Sequence, residues 1–524
     1  MRNILTILTL TLSQFGMTQY DTLSINKMFA NVNADACLFT NPSISVAGYG
    51  IMDTSGTIIK TIYNSSFWIG AKDEDDSVRV CANMFASNAK DFKIGPVATD
   101  YSNQNFIDKY DYVYAITSSQ IQVHKNQWHQ SSYNMPQDIA NWPGNGNTSN
   151  GEASLLAPFV DVNSNNIYEP QLGDYPLIRG DEAMYFILND NDGNHPHSGG
   201  KNMDMEYHFM VYQYAVNGFL DSTTFINLKV INRSQETYNQ LIVGNYVDFD
   251  IGGNNDDYIG SSVDKNMVFG YNGDSFDDSG SNPYKFGANP PACGVKLLNH
   301  NMNVAGYFNN YFGVQSDPTV DSTIWFALNA KWQNGAPYTF GDNGLGGTIQ
   351  TNYMFSGNPN DSTAWNEGSA LNTPGARRAF IASTPIDNFA PGDFICYDYA
   401  VLYSRNGGNN LLNVNGLLDV ADSAQLFYNE QQHFYCQQVV LGLNETQEAS
   451  NKLALYPNPA QNQISLYYEG DYNLSIIDLN GKTVFEQLNN TNSVIVELDI
   501  PNGLYVVKVI SEGKTNYTKL IINK

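Results

Sequence analysis

Asn473-Leu474-Ser475-Ile476-Ile477-Asp478-Leu479-Asn480-Gly481-Lys482-Thr483-Val484-Phe485-Glu486-Gln487 decides the fold at the C-terminal end of the chain. Apolar and polar residues alternate on both sides of Asn480-Gly481, and both turn residues tolerate the positive φ of a type I′ hairpin. The alternation recurs in Gln463–Tyr468, Ser493–Leu498, Gly503–Ile510 and Thr515–Ile522, with Ser511-Glu512-Gly513-Lys514 as the turn before the last strand. Strands this short and this numerous predict a small antiparallel, immunoglobulin-like β-sandwich over 452–524. Immediately upstream, residues 441–451 contain the polar, pattern-free stretch Asn444-Glu445-Thr446-Gln447-Glu448, which reads as a linker.

Three motifs stand in order in this tail: Leu453-Ala454-Leu455-Tyr456-Pro457-Asn458-Pro459, Leu479-Asn480-Gly481-Lys482, and Pro501-Asn502-Gly503-Leu504-Tyr505-Val506-Val507-Lys508-Val509. Together they resemble the type A C-terminal sorting domain of the type IX secretion system of Bacteroidetes. The resemblance implies that the type IX machinery is a partner of the tail, and that the protein reaches the outer surface or the medium via the periplasm. The other end agrees. Met1-Arg2 followed by the apolar run Ile4–Leu12 reads as a signal peptide over 1–19. That run is too short to span a bilayer, and no later stretch reaches the roughly 18–20 apolar residues a transmembrane helix needs.

Residues 20–440 form the body. Alternating segments recur at Ile58–Tyr63, Val78–Met84, Tyr110–Thr117, Met184–Leu188, Tyr207–Val216, Phe225–Ile231, Gln240–Val247, Thr323–Leu328 and Phe394–Tyr403. Helical periodicity is visible only at Leu417–Glu430, where Leu418, Val420, Ala421, Ala424 and Phe427 share a face. The expected fold class is all-β: a large β-sandwich-like body of one or two units, then the small C-terminal sandwich. Phe67-Trp68-Ile69-Gly70-Ala71, Asn232-Arg233-Ser234 and Phe389-Ala390-Pro391-Gly392-Asp393 resemble a module of secreted Bacteroidetes proteins of unknown function.

The chain carries 52 acids against 26 Lys and Arg, a net charge of −26. From Lys452 onward six lysines oppose seven acids, so the body holds −25 of it. Such a surface repels phosphate backbones and anionic lipid, which argues against nucleic-acid partners. Five cysteines (Cys37, Cys81, Cys293, Cys396, Cys436) leave at least one unpaired and form no CxxC, so a single disulfide and free buried thiols stay open as alternatives.

Many of the acids alternate with amides in loops, the pattern that wraps oxygen ligands round a hard cation. Asp161, Asn163, Asn165 and Glu169, with the carbonyl of Ile167 and with Asp174 downstream, make one expected calcium loop. It departs from the EF-hand pattern in having Asn166 at the sixth position and no Glu at the twelfth. A second expected calcium site lies in Asp248-Phe249-Asp250 and the Gly-Gly turn that returns to Asp257. Among the histidines, His195, His197 and His208 with Glu206 could hold a transition metal, although loop histidines usually bind nothing. No HExxH, GxSxG or Walker loop is present, and no pair of carboxylates is singled out by its surroundings. Trp128, Trp142, Trp325, Trp332 and Trp365 are candidates for stacking on sugars, each set against the alternative of core packing. The expectation is therefore a calcium-stabilised, non-enzymatic surface or secreted protein with a role in adhesion, glycan binding or structure. A polysaccharide-active hydrolase and a passive coat or spacer are the alternatives.

Overall fold

The computed structural model describes residues 20–522 and 524, except 42–45, 53–55, 85–89, 192, 194, 280–283, 310–312, 432–435, 437–438, 442–453, 457, 459, 479–481 and 512–513. The signal peptide expected over 1–19 and the linker expected beyond Leu441 lie outside these residues. The chain divides into two compact units, Met1–Gly442 and Leu443–Lys524.

The first unit is mostly β and is built on two nine-stranded antiparallel sheets. One runs Tyr20–Leu23, Met28–Asn33, Tyr49–Met52, Ile58–Lys72, Asn239–Phe249, Arg377–Ser383, Met302–Asn309, with Cys37–Leu38 and Val78–Ala82 also paired to Ile58–Lys72. The other runs Tyr114–Thr117, Glu182–Asn189, Met205–Gln213, Thr223–Asn232, Phe394–Ser404, Ala292–Leu297, Met267–Asn272, Asp257–Ser262, with Lys93–Ile94 on Glu182–Asn189. The sheets face each other through aromatic contacts: Phe67 of the first meets Phe209 and Tyr399 of the second, at ring separations of 5.3 and 5.6 Å.

Period-two alternation explains why the second sheet's strands are buried on both faces. Along Glu182–Asn189, Met184, Phe186 and Leu188 enter the core between the sheets. Ala183, Tyr185 and Ile187 enter a second core on the outer face. The helix Asn410–Glu430 covers that face with Val414, Leu417, Ala421, Ala424 and Tyr428, a three-and-four-residue stripe. It begins seven residues before the expected Leu417, where Asn409 caps it by accepting the Leu412 N–H at 2.8 Å.

One expected strand is a helix. Thr323–Leu328 belongs to the helix Asp321–Leu328, which buries Ile324, Ala327 and Leu328. Its β-branched and aromatic residues read as strand, but tertiary packing overrides that preference. The helix lies on the outer face of the first sheet, where Gly70 and Gly244 leave room for it. A Cβ at either would come within 2.9 and 2.8 Å of Leu328. The cysteines resolve to one disulfide, Cys396–Cys436, and three buried free thiols at Cys37, Cys81 and Cys293.

The second unit is a five-stranded antiparallel sheet that closes over its own core of Ile464, Leu466, Leu474, Ile476, Val507, Val509 and Leu520. The strands expected at Gln463–Tyr468 and Asn473–Leu479 are one element, Gln463–Asp478, whose pairing shifts register between Tyr467 and Asp471. Lys482–Gln487 and Ser493–Leu498 likewise merge into Thr483–Glu497. Gly470 at φ 94°, Asn489 at 58° and Asn492 at 56° let both strands bend without ending. The Asn480-Gly481 turn lies outside the described residues, and the pair Asp478 N to Lys482 O at 2.9 Å brackets it.

Candidate functional site

The loop 161–174 leaves the strand Phe159–Asp161 and returns in Tyr175–Pro176, its antiparallel neighbour. This places Asp161 and Asp174, both fully buried, at adjoining strand ends. Their carboxylates organise the loop through backbone amides. Asp161 accepts from Ser164 N (2.7 Å) and Asn166 N (2.6 Å), and Asp174 accepts from Val162 N and Glu169 N (2.8 Å each). Asn163 accepts from Asn165 N at 3.2 Å, and Asn165 from Ile167 N at 2.8 Å. The alternation thus winds successive side-chain oxygens round the loop, helped by positive φ at Ser164 (61°) and Asn166 (59°). The Asn165 amide donates to Glu169 Oε2 at 2.6 Å, so Asp161, Asn163, Asn165, Glu169 and Asp174 belong to one cluster. Ile167 is exposed and takes part through its backbone. Burial raises the Asp174 carboxyl, the two N–H groups oppose this, and the charges of Asp161 and Glu169 add to it.

The far side of this loop is one wall of an open cleft of ≈480 Å³. Tyr168, Pro170 and Gln171 face Asn105, Asp108 and Lys109 of the helix Gln104–Tyr110, with Tyr112, Tyr114, Asn141, Trp142 and Asn145 between them. Asn145 joins the walls: its side chain pairs with both backbone groups of Tyr168 (2.9 and 2.8 Å), and its carbonyl accepts from Lys109 Nζ at 2.7 Å. Tyr168 is pinned by its hydroxyl to Ile139 O at 2.6 Å. Burial lowers the Lys109 ammonium, and Glu152 opposes the shift. Asn105, Asn141 and Gln171 are exposed. The lining carries a single carboxylate, Asp108.

The second acidic segment does not assemble as expected. Asp248 and Asp250 are buried, but each faces a cation: Lys60 Nζ lies 2.5 Å from Asp250, and Arg378 Nε 3.5 Å from Asp248. Burial still raises both carboxyls, Asp248 to about 8. Asp257 lies close enough for the Asp250 charge to raise its carboxyl further, with the charges of Asp256 and Asp277 beside it, and it accepts from Ile251 N at 3.1 Å. The signal for its environment, Asp277, is distant in sequence and was missed.

The histidines separate into two networks. His195 lies between Val80 O (2.6 Å) and Asp190, with Cys81 close by, all three buried. His208 donates from Nε2 to Glu206 Oε1 at 2.8 Å and accepts from Tyr185 at Nδ1, while Arg233 holds the same Glu206 oxygen at 2.7 Å. Burial alone would raise the Glu206 carboxyl, but the His208 hydrogen bond and the Arg233 charge hold it down at about 2. A depressed folded pKa means stability that is present above 4.5 and lost as pH falls from there toward about 2. For a shift of this size the contribution is roughly 3 kcal/mol. Acid unfolding followed by circular dichroism should therefore show wild type losing stability across that window, whereas Glu206→Gln, already weaker at pH 7, stays nearly flat.

The tryptophans pack rather than protrude. Trp142, Trp332 and Trp365 are buried, and their indoles donate to Pro158 O, Gly344 O and Asp342 O at 3.0, 3.0 and 2.9 Å. Trp128 and Trp325 are half-buried.

In the C-terminal unit the quoted motif residues are structural clips. Asn458 donates to Lys519 O and accepts from Ile521 N, both at 2.8 Å, and Asn502 accepts from Lys524 N at 2.8 Å. Tyr505 reaches back to Pro501 O at 2.9 Å.

No curated protein matches the chain. Among solved structures, a polysaccharide lyase is similar at 7% identity and TM-score 0.21, covering 67% of this chain and 37% of the lyase. The chain therefore spans well under half the length of that protein. PorZ, a surface component of the type IX secretion system of Porphyromonas gingivalis, is similar at 9% identity and TM-score 0.14, covering 99% of this chain and 77% of PorZ. Superpositions this loose carry no functional argument. No helix among the described residues is long and apolar enough to cross a membrane. Residues 454–523 match the family described as secretion system C-terminal sorting domain, and this tail marks the chain as type IX cargo of a Bacteroidetes-type bacterium, exported to the cell surface or the extracellular space.

Proposed function

We propose that the body is a non-catalytic carbohydrate-binding protein displayed or released outside the cell, with the cleft beside Tyr168 as its glycan subsite. One observation carries this reading. The cleft combines exposed amides of Asn105, Asn141 and Gln171 with the half-buried ring of Tyr112, the mixture that hydrogen-bonds sugar hydroxyls and packs on their apolar faces. Its single carboxylate, Asp108, favours binding over hydrolysis, since glycoside hydrolysis ordinarily employs two, about 5–10 Å apart. A calcium ion held by Asp161, Asn163, Asn165, Glu169 and Asp174 would keep the Tyr168 wall in place. The donor set is all oxygen, and among the described residues no lysine or arginine forms an ion pair with its carboxylates.

The test is incubation of the mature protein, with calcium, with a panel of soluble and insoluble polysaccharides, following protein depletion and new reducing ends together. Depletion without new ends is expected. The double variant Asn105→Ala/Asn141→Ala should weaken that binding about tenfold while leaving the melting temperature unchanged, as two lost hydrogen bonds of ~1 kcal/mol or less each imply. New reducing ends would replace this reading with a hydrolase, and no depletion on any glycan would leave a passive coat or spacer.

A further inference from the structure

Three ligating side chains of different kinds meet inside the first unit. Cys81 stands on the strand Val78–Ala82 of the first sheet, Asp190 directly follows the strand Glu182–Asn189 of the second, and His195 comes from the loop after it. Cys81 Sγ, an Asp190 carboxylate oxygen and a His195 ring nitrogen all lie within 4.8 Å of one another. The three residues are 0%, 1% and 1% exposed.

The backbone fixes these ligands from outside the cluster. His195 Nδ1 lies 2.6 Å from Val80 O, a pure acceptor, so Nδ1 carries a proton there. That leaves Nε2 facing oxygens, Asp190 O at 3.3 Å and Asp190 Oδ2 at 3.4 Å. A bare Nε2 lone pair would be repelled by both, so this nitrogen has to hold a proton or a metal ion. Metal-bound histidines ordinarily donate their other N–H to a carbonyl or carboxylate in this way. Asp190 is held by Met203 N on Oδ2 (2.9 Å) and Met205 N on Oδ1 (2.6 Å). Each N–H takes one lone pair, and each carboxylate oxygen has a second to offer.

A proton on Nε2 would satisfy the histidine alone. It would leave Cys81 a neutral thiol, and it would leave Tyr207 unanswered. The Tyr207 hydroxyl is buried, makes no hydrogen bond of standard geometry, and stands close enough to Cys81 and Asp190 for their charges to act on it. A thiol is a weak acceptor for that hydroxyl, whereas a thiolate is a strong one, and coordination to a metal is what makes a buried cysteine a thiolate. A divalent ion in place of the Nε2 proton and the thiol proton keeps the cluster neutral, since thiolate and carboxylate then oppose two positive charges.

We propose that Cys81, Asp190 and His195 bind one zinc ion, through Sγ, a carboxylate oxygen and Nε2, and that the ion clasps the strand Val78–Ala82 of one sheet to the end of Glu182–Asn189 in the other. Sulfur, nitrogen and oxygen together suit zinc, whereas calcium and magnesium take oxygen alone. Three protein ligands leave the fourth tetrahedral position for water, and full burial reserves the ion for a structural role. The site shares only His195 with the histidine set expected from the sequence. It is independent of the cleft and of the glycan reading.

Mature full-length protein purified from zinc-supplemented cells should carry one zinc per chain by elemental analysis. Purified from cobalt-supplemented cells instead, it should show a sulfur-to-cobalt charge-transfer band in the near ultraviolet, the signature of a metal–thiolate bond. Cys81→Ser is expected to remove that band and lose the zinc, while Cys37→Ser and Cys293→Ser, at the other free thiols, keep both. Tyr207→Phe should keep the band and weaken zinc about tenfold against a competing chelator. The wild-type spectrum needs no variant, so it decides even where Cys81→Ser fails to fold. A wild type without zinc, a cobalt form without the band, or a Cys81→Ser protein that keeps its zinc would overturn the proposal and leave a buried imidazolium–carboxylate pair beside a thiol.

Discussion

Removal of residues 443–524 is expected to strand the protein in the periplasm, with none reaching the cell surface or the medium. The expectation is all-or-none because the tail is a self-contained unit with its own core, from Ile464 to Leu520, and matches the sorting-domain family over 454–523. If the machinery reads this fold, a tail that is present but unfolded should fail in the same way. Val507 is fully buried in that core, and Val507→Asp would place an unpaired charge there at a cost of several kcal/mol. Fractionation into periplasm, outer membrane and medium, with immunodetection of the body, checks both variants. Normal delivery of the truncated chain would remove the sorting role. Normal delivery of Val507→Asp alone would show that a short linear motif is recognised instead.

Local signals were legible in the sequence and non-local ones were not. Alternation reports which residues share a strand face, so the fold class and strands such as Phe225–Ile231 could be read directly. The same signal over-divided the tail, because a bulge and a turn both interrupt alternation. Only the pairing of Gln463–Asp478 with Thr483–Glu497 distinguishes them. The helix Asp321–Leu328 was illegible for another reason: its formation depends on Gly70 and Gly244, two strand residues far away that leave space for Leu328.

The candidate sites divide along the same line. In the 161–174 loop each side-chain oxygen accepts from an N–H two to twelve residues away, so spacing alone indicated its cluster. Around Asp248 the decisive groups come from elsewhere. Lys60 is 190 residues from Asp250, and the Asp277 that faces Gly253 is 24 residues beyond it. The cleft was invisible because its walls come from three separate segments, Asn105–Tyr114, Ala140–Asn145 and Tyr168–Gln171, and the alternation and acidic spacing within them say nothing of their meeting.

Asp398→Ala should be the most destabilising of the single substitutions considered in the body. Asp398 sits on the strand Phe394–Ser404 with 0% exposure and binds three elements at once. Its Oδ1 accepts from Arg179 Nη1 at 3.2 Å and from Asn227 Nδ2 at 3.0 Å on the neighbouring strand. Its Oδ2 accepts from the hydroxyl of Tyr428, at 2.6 Å, on the helix Asn410–Glu430. Arg179 is itself only 8% exposed and lies over the rings of Tyr212 and Tyr428, at 4.8 and 5.5 Å. Deleting the carboxylate takes the Asp398 charge away from a buried guanidinium and loosens the helix that covers the outer core, which should cost about 3–5 kcal/mol. A packing defect alone would give a different pattern from an uncompensated charge. Replacing both partners, as Arg179→Met with Asp398→Leu, removes the charge along with the carboxylate and should cost clearly less than the sum of the single changes. Equilibrium urea unfolding of the four proteins measures this coupling. Single losses that add to within about 0.5 kcal/mol would mean that the pair does not hold the helix through its charges.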